Sequence, residues 1–113
     1  MDSEIKISDF SVTPGARYRN EGPFSAEEFR VDHLIPAFNK AREEGGKLVV
    51  DLDGTVGYGT SFLEGVFGGL AREYGSKLVL ETLSFLSEEE DYLVDDIIGY
   101  ITDAHEVESG ESK

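Results

Sequence analysis

Residues 48–64 constrain the fold of this chain more than any other stretch, because they join three kinds of local structure. Leu48, Val49 and Val50 form a consecutive apolar run of the kind found in strands buried on both faces. Acids and glycines follow this run, and a segment with helical spacing begins at Thr60. Junctions of strand, turn and helix are common places for sites in α/β proteins. The sequence therefore predicts an α/β fold with its functional surface at this junction.

The apolar spacing along the whole chain predicts the order β-loop-α-β-α-β-α. Right-handed crossovers in that order make a small mixed sheet with partly parallel strands, covered by helices. The predicted strands span residues 4–10, 47–52 and 77–83, and the helices begin near Ser25, Thr60 and Ser87. Capping-box spacing supports each helix start, in the pairs Ser25 with Glu28, Ser61 with Glu64 and Ser87 with Glu90.

Two features inside the predicted helices carry structural expectations. Pro36 interrupts the first helix and predicts a kink near residues 32–35, since proline removes a backbone hydrogen bond. The second helix contains Gly65, Gly68 and Gly69, each of which costs about 1 kcal/mol relative to alanine. We expect this helix backbone to pack closely against either the sheet or a partner.

Length and composition indicate one domain over residues 1–104, because 113 residues are enough for a single core. Residues 105–113 have almost no apolar side chains, which predicts a disordered acidic tail. The chain has no apolar run of membrane-spanning length, no signal-peptide pattern and no cysteine. The simplest expectation is a cytoplasmic protein with no metal and no other cofactor.

The net charge of −14 bears on the choice of partner. It disfavours binding to nucleic acid or to an anionic membrane, because both carry negative charge. The charge is uneven: residues 78–113 contain eleven acids and one base, whereas Arg17 and Arg19 lie in the loop over residues 11–23. The simplest interpretation of the acids is a solvated face that keeps the protein soluble.

One interpretation of the junction is enzymatic. Asp51 and Asp53, with the Gly-Thr that follows, resemble the nucleophile motif of the haloacid-dehalogenase-type phosphatases. That resemblance implies attack on phosphate by Asp51 and proton transfer by Asp53, with Mg²⁺ offsetting the charge. The further groups that this chemistry needs can be nominated only at poor spacing, as Thr82 or Ser84, Lys77, Asp95 and Asp96. Because only 62 residues follow Asp51, too few for that family's core, the phosphatase remains the minority hypothesis.

A second resemblance covers nearly the whole chain up to about Ala104. Gly-Thr-Ser-Phe-Leu-Glu at residues 59–64 and Val-Phe-Gly-Gly-Leu at residues 66–70 resemble the STAS-like domain family of small bacterial proteins of unknown function. Residues 13–18 and 22–30 resemble segments of the same family. The resemblance implies a STAS-like fold and a non-enzymatic regulatory interaction domain.

The wider STAS fold includes the anti-sigma factor antagonists, in which a serine at a helix start is phosphorylated by a histidine-kinase-like serine kinase. Phosphorylation there switches which partner is bound. The matching position is Ser61, with Thr60 beside it, although the antagonists carry Asp-Ser-Ser-Gly where this chain has Gly-Thr-Ser-Phe. The resemblance thus implies a phosphoacceptor at Ser61 or Thr60 and a histidine-kinase-like ATPase as partner. The structural alternative is that Ser61 only caps the helix, together with Glu64.

The interaction loop that goes with this hypothesis combines the turn with two arginines, namely Asp53, Gly54, Gly57, Tyr58, Gly59, Arg17 and Arg19. The same residues permit a third interpretation, a small-anion sensor. In that case Arg17, Arg19 and the free backbone amides at the helix start would hold the anion.

Overall fold

The protein folds into three short strands and a set of helices that cover one side of them. The computed structural model describes the backbone of residues 2–111 and the side chains of residues 2–104. The strands are β1 (Ser3–Lys6), β2 (Leu48–Asp51) and β3 (Leu83–Leu86). The α-helices are α1 (Ile7–Phe10), α2 (Ala26–Phe29), α3 (Ile35–Glu43), α4 (Thr60–Leu63), α5 (Gly69–Tyr74), α6 (Ser76–Thr82) and α7 (Tyr92–Glu111).

Two π-helical segments interrupt the longer helices. The first, Arg30–Leu34, joins α2 to α3, and the second, Glu64–Gly68, joins α4 to α5. A 3₁₀ turn, Arg19–Glu21, lies in the long loop after α1. The predicted α/β class is confirmed, and so is the alternation of strands and helices.

The sheet of residues 2–111 has the order β1-β2-β3, and both strand pairs are parallel. The register aligns Ile5 with Val50 and Val50 with Phe85, so these three side chains point to the same face. That face meets the helices, where Phe67 packs edge-to-face on Phe85 with ring centroids 5.7 Å apart. Because parallel strands end at one edge of the sheet, Asp51 and the turn that directly follows it lie at the carboxyl edge.

The core lies between the sheet and the helices. Its fully buried aromatic side chains are Phe29, Phe38, Phe62 and Phe67. Burying one such side chain contributes about 1.5–3 kcal/mol, so these residues hold the helices on the sheet. From α7, Ile97 and Ile101 are fully buried, and the Ser76 hydroxyl donates a 2.6 Å hydrogen bond to the Ile101 carbonyl.

Two predicted strands were wrong in extent. The first ends at Lys6, and residues 7–10 form the helical turn α1 that buries Ile7. The third does not begin at residue 77: residues 76–82 form α6, and β3 starts only at Leu83. The apolar run at residues 78–80 is compatible with either period, and packing of α6 against α5 and α7 selects the helix.

The disruption expected near Pro36 takes the form of the first π-helical segment, which ends just before that proline. In this wider turn the Ile35 N–H donates to the Arg30 carbonyl, five residues back. The last helix begins at Tyr92 instead of near Ser87, and the Ser87 hydroxyl donates to the Glu90 carbonyl. The acidic tail predicted for residues 105–113 falls on side chains outside the described residues, and it remains a prediction.

Candidate functional site

The junction after β2 is a glycine turn that leads into the helical stretch over residues 60–74. Gly54 and Gly57 have φ angles of 95° and 153°, a region that favours glycine. The N-cap of α4 is Gly59, which has no side chain that could accept a capping hydrogen bond. The predicted capping box of Ser61 with Glu64 is therefore wrong, because the helix begins at Thr60 and Ser61 lies within its first turn.

Thr60 and Ser61 are exposed, and Phe62 directly after them is fully buried. Within residues 2–104 neither hydroxyl has a side-chain hydrogen-bond partner. Phe62 stacks near Tyr58, with ring centroids 6.1 Å apart and an interplanar angle of 26°. The buried ring fixes the start of the helix, and the two hydroxyls project from it into solvent.

Glu64, one turn further along, binds two arginines. Its carboxylate forms ion pairs with Arg17, from the long loop, and with Arg72, at 2.7 Å, from α5. Burial alone would raise the pKa of Glu64, but the hydrogen bonds and charges of Arg72 and Arg17 outweigh it and lower the pKa below its usual range. Glu64, which was predicted to form a capping box with Ser61, instead links the long loop to the helix through Arg17.

The two arginines of the predicted interaction loop both lie in ion pairs. Arg17 contacts the helix start through Glu64, as the predicted neighbourhood of loop and helix requires. Arg19 points the other way and donates a 2.7 Å hydrogen bond to Asp32. This exposed pair raises the pKa of Arg19 and lowers that of Asp32. Each of the two guanidinium groups is therefore paired with a carboxylate, and the two do not form an open site for a small anion.

Tyr58 anchors the turn to the end of β2. Its hydroxyl donates a 2.7 Å hydrogen bond to the carbonyl of Leu52, a buried residue. Burial raises the pKa of Tyr58 to about 12, because the phenolate would lose its hydration there. Tyr58 is thus part of the support beneath the helix start.

The two aspartates of the phosphatase-like motif make structural contacts. Asp51 is buried, and its Oδ1 accepts the Asp53 N–H at 2.9 Å. Asp53 in turn accepts the backbone N–H groups of Glu88 at 3.0 Å and Glu89 at 3.0 Å. The Gly54 N–H donates to the Glu89 carboxylate at 2.9 Å. Asp53 therefore joins the junction to the turn before α7.

The other groups nominated for phosphatase chemistry come from α6, β3 and α7. Ser84 lies in β3 and pairs with Val49, two residues before Asp51. Thr82 immediately precedes β3, at the amino edge of the parallel sheet, whereas Asp51 lies at the carboxyl edge. Lys77 is in α6, and Asp95 and Asp96 are exposed on α7. In the described part of the chain, no cluster of three or more histidine, aspartate or glutamate side chains could hold a metal ion.

Two glycines of the helical stretch over residues 60–74, Gly65 and Gly69, face α2 and the π-helical segment after it. A Cβ on Gly65 would lie 2.9 Å from the Ala26 Cβ and 3.2 Å from the Arg17 Cγ. A Cβ on Gly69 would meet the Arg30 guanidinium, which donates a 2.7 Å hydrogen bond to the Gly65 carbonyl. The close approach predicted for this helix is real, but it is made with α2 and with arginines rather than with the sheet. Local patterns gave no signal for Arg30, because its contacts lie 35 residues away.

The comparison with protein families agrees with this architecture. The model of the family described as STAS-like domain of unknown function matches residues 25–93, more than half of the chain. The chain belongs to this family. The matched span of the STAS-like domain includes β2, the junction, the glycine-bearing helix and β3. No curated protein and no solved structure matched the chain.

Membership in a STAS-like family indicates a regulatory or interaction domain, and the family is not known as enzymatic. Across residues 2–111, the helices of this STAS-like domain are all too short or too polar to cross a membrane.

Proposed function

We propose that this STAS-like domain is a partner-switching module whose phosphoacceptor is Ser61 or Thr60. Its partner would be a histidine-kinase-like ATPase that both binds and phosphorylates the helix start. The observation that carries the proposal is that Gly59 caps the helix, which leaves both hydroxyls exposed and without hydrogen bonds among the described side chains.

The position suits a phosphate for two physical reasons. The first turn of a helix presents unpaired backbone N–H groups and the positive end of the helix dipole. A phosphate adds a charge of about −1.5 to −2 and three strong acceptor oxygens at that point. The modified form is therefore stabilised at the helix start while its surface charge changes sharply.

The ion pair between Glu64 and Arg17 would connect phosphorylation of the helix start to a change in partner binding. Residues three and four positions apart lie next to each other on a helix, so a phosphate on Ser61 or Thr60 would lie close to Glu64. It would repel that carboxylate and compete with it for Arg17. Release of Arg17 from Glu64 would weaken the contact between the long loop and the helix. A partner that contacts both the loop and the helix would then lose part of its binding surface.

The test is incubation of the protein with a histidine-kinase-like ATPase encoded next to it and ATP. Mass spectrometry then locates the phosphate, and gel filtration measures the complex. We expect phosphate on Ser61 or Thr60, and loss of the complex once it is added. Ser61→Ala with Thr60→Ala should abolish labelling and keep the complex.

Thr102→Ala is the matched control, because Thr102 is an exposed hydroxyl residue on α7. That variant should be labelled as the unaltered protein is. Absence of phosphate from both residues, together with no complex, would refute the switch. Mg²⁺-dependent phosphate release that Asp51→Asn abolishes would replace it with the phosphatase hypothesis.

A further inference from the structure

A cleft runs along the open edge of β1, the edge that does not pair with β2. Its volume is about 230 Å³. It is lined by β1, by α1, by the end of α2 and by the π-helical segment after α2, through Glu4, Ile5, Lys6, Asp9, Phe10, Phe29 and His33. The aromatic side of the cleft is packed: the Phe10 ring lies 5.2 Å from Phe29 and 5.3 Å from His33, centroid to centroid.

The backbone of β1 has hydrogen-bonding groups that point into this cleft. Ser3 donates its N–H to the Lys47 carbonyl, on the side of β2. Because successive residues of a strand direct their backbone groups to opposite sides, the N–H and C=O of Glu4 and the N–H of Lys6 point to the open edge. Such an edge is a template for one further strand.

The cleft also has the side-chain environment for an anchor residue. Ile5 projects to the helix side of the sheet, so a strand added beside β1 would place alternate side chains against Phe10, Phe29 and His33. An apolar cavity of about 150 Å³ takes up benzene, so this cleft has room for one aromatic side chain.

The charge around the cleft selects the chemistry of the added strand. Glu4 and Asp9 outnumber the single cation Lys6 among the lining residues, and the whole protein carries −14. The acids around the cleft and the net charge of the protein both attract a cationic segment, and both repel a second copy of this acidic chain.

We propose that the open edge of β1 binds an extended cationic segment of a partner protein. The segment adds to the sheet as a fourth strand, inserts one aromatic or large aliphatic side chain into the cleft, and places a lysine or arginine beside Glu4. Backbone hydrogen bonds hold the strand, and the cleft and the acids select its sequence. Neither Thr60 nor Ser61 lines this cleft, and the proposal does not depend on their phosphorylation.

The probe is the acetylated and amidated pentapeptide Lys-Thr-Phe-Thr-Lys, titrated into the ¹⁵N-labelled full-length protein. We expect saturable shifts of the Glu4, Lys6 and His33 amides, together with slower hydrogen exchange at Glu4 and Lys6. Replacing the peptide phenylalanine by alanine, or both lysines by glutamate, should weaken binding by about tenfold or more. Absence of saturable shifts up to millimolar peptide, or shifts centred elsewhere, would overturn the proposal.

Methylation of the peptide backbone tests strand addition without altering the protein. Successive peptide N–H groups point alternately toward and away from β1, so of two probes methylated at adjacent residues one should lose binding and its neighbour should keep it. Equal effects of the two probes would refute strand pairing.

Protein variants test the charge term. Asp9→Lys should weaken binding by about tenfold, whereas Asp103→Lys, an equal change of charge on α7, should leave it within about twofold. Equal effects would overturn the role of the cleft acids. Sedimentation experiments without peptide provide a further test. A dimer in which the Glu4 amide is already protected from exchange would show that a second copy of the chain occupies the edge of β1, and would refute the proposal of a partner segment.

Discussion

Gly65 lies so close to Ala26 that a Cβ on Gly65 would stand 2.9 Å from the Ala26 Cβ. Real Cβ atoms do not approach this closely, so Gly65→Ala must push the two helices apart. We expect a loss of about 1–3 kcal/mol in the free energy of unfolding, measured by urea denaturation.

Gly99 provides the matched control for this substitution. It also lies inside a helix, α7, but a Cβ there would meet nothing within 4 Å. Gly99→Ala should stabilise the protein by about 0.5–1 kcal/mol, because alanine favours the helical backbone. A stabilising Gly65→Ala would contradict the close approach of the helices.

Asp53→Ala should destabilise the protein by about 1–2 kcal/mol, because the backbone N–H groups of Glu88 and Glu89 lose their acceptor. Urea denaturation measures the loss, and amide exchange at residues 88 and 89 should accelerate. Asp103→Ala, which removes an exposed carboxylate from α7, is the control and should change stability by less than about 0.5 kcal/mol. Unchanged exchange at residues 88 and 89 would show that Asp53 does not hold this turn.

Glu64→Gln should lower stability by about 1–2 kcal/mol at neutral pH, because the charged partner of Arg17 and Arg72 is lost. The folded-state pKa of Glu64 is lowered, so its contribution is fully present above the unfolded value of about 4.3 and disappears as the pH falls through the folded value. The difference between the two proteins should therefore shrink in acid. Glu73→Gln, at an exposed position of α5, should behave as the unaltered protein at every pH.

Tyr58→Phe should cost about 1 kcal/mol at neutral pH, because the Leu52 carbonyl loses its donor. The raised pKa of Tyr58, about 12, adds a stabilisation that is fully present below the unfolded value of about 10. This contribution is lost as the pH rises through 12, so alkali should destabilise the unaltered protein more steeply than Tyr58→Phe. Tyr18→Phe, at an exposed tyrosine, should follow the unaltered protein, and parallel curves for all three would contradict the burial of Tyr58.

The sequence predicted the features whose causes are local. The apolar run over residues 48–50 forms the central strand, and Ser25 caps its helix by accepting the Glu28 N–H at 3.0 Å. The helix predicted to begin near Thr60 begins at that residue.

The misses have long-range causes. Glu64 had the right spacing to pair with Ser61, but Arg17, 47 residues away along the chain, binds it instead. Asp53 was predicted as part of an interaction loop, yet its hydrogen-bond partners lie 35 and 36 residues away. Local spacing does not reveal contacts of this kind, and they determine what the side chains at the junction do.

The bonds that Asp53 and Gly54 make with Glu88 and Glu89 also have a consequence for partner binding. They connect two loops at the carboxyl edge of the sheet, the one that leads to the helix start at Thr60 and the one that leads to α7. A partner that binds the junction would therefore contact a turn that is hydrogen-bonded to the segment just before α7.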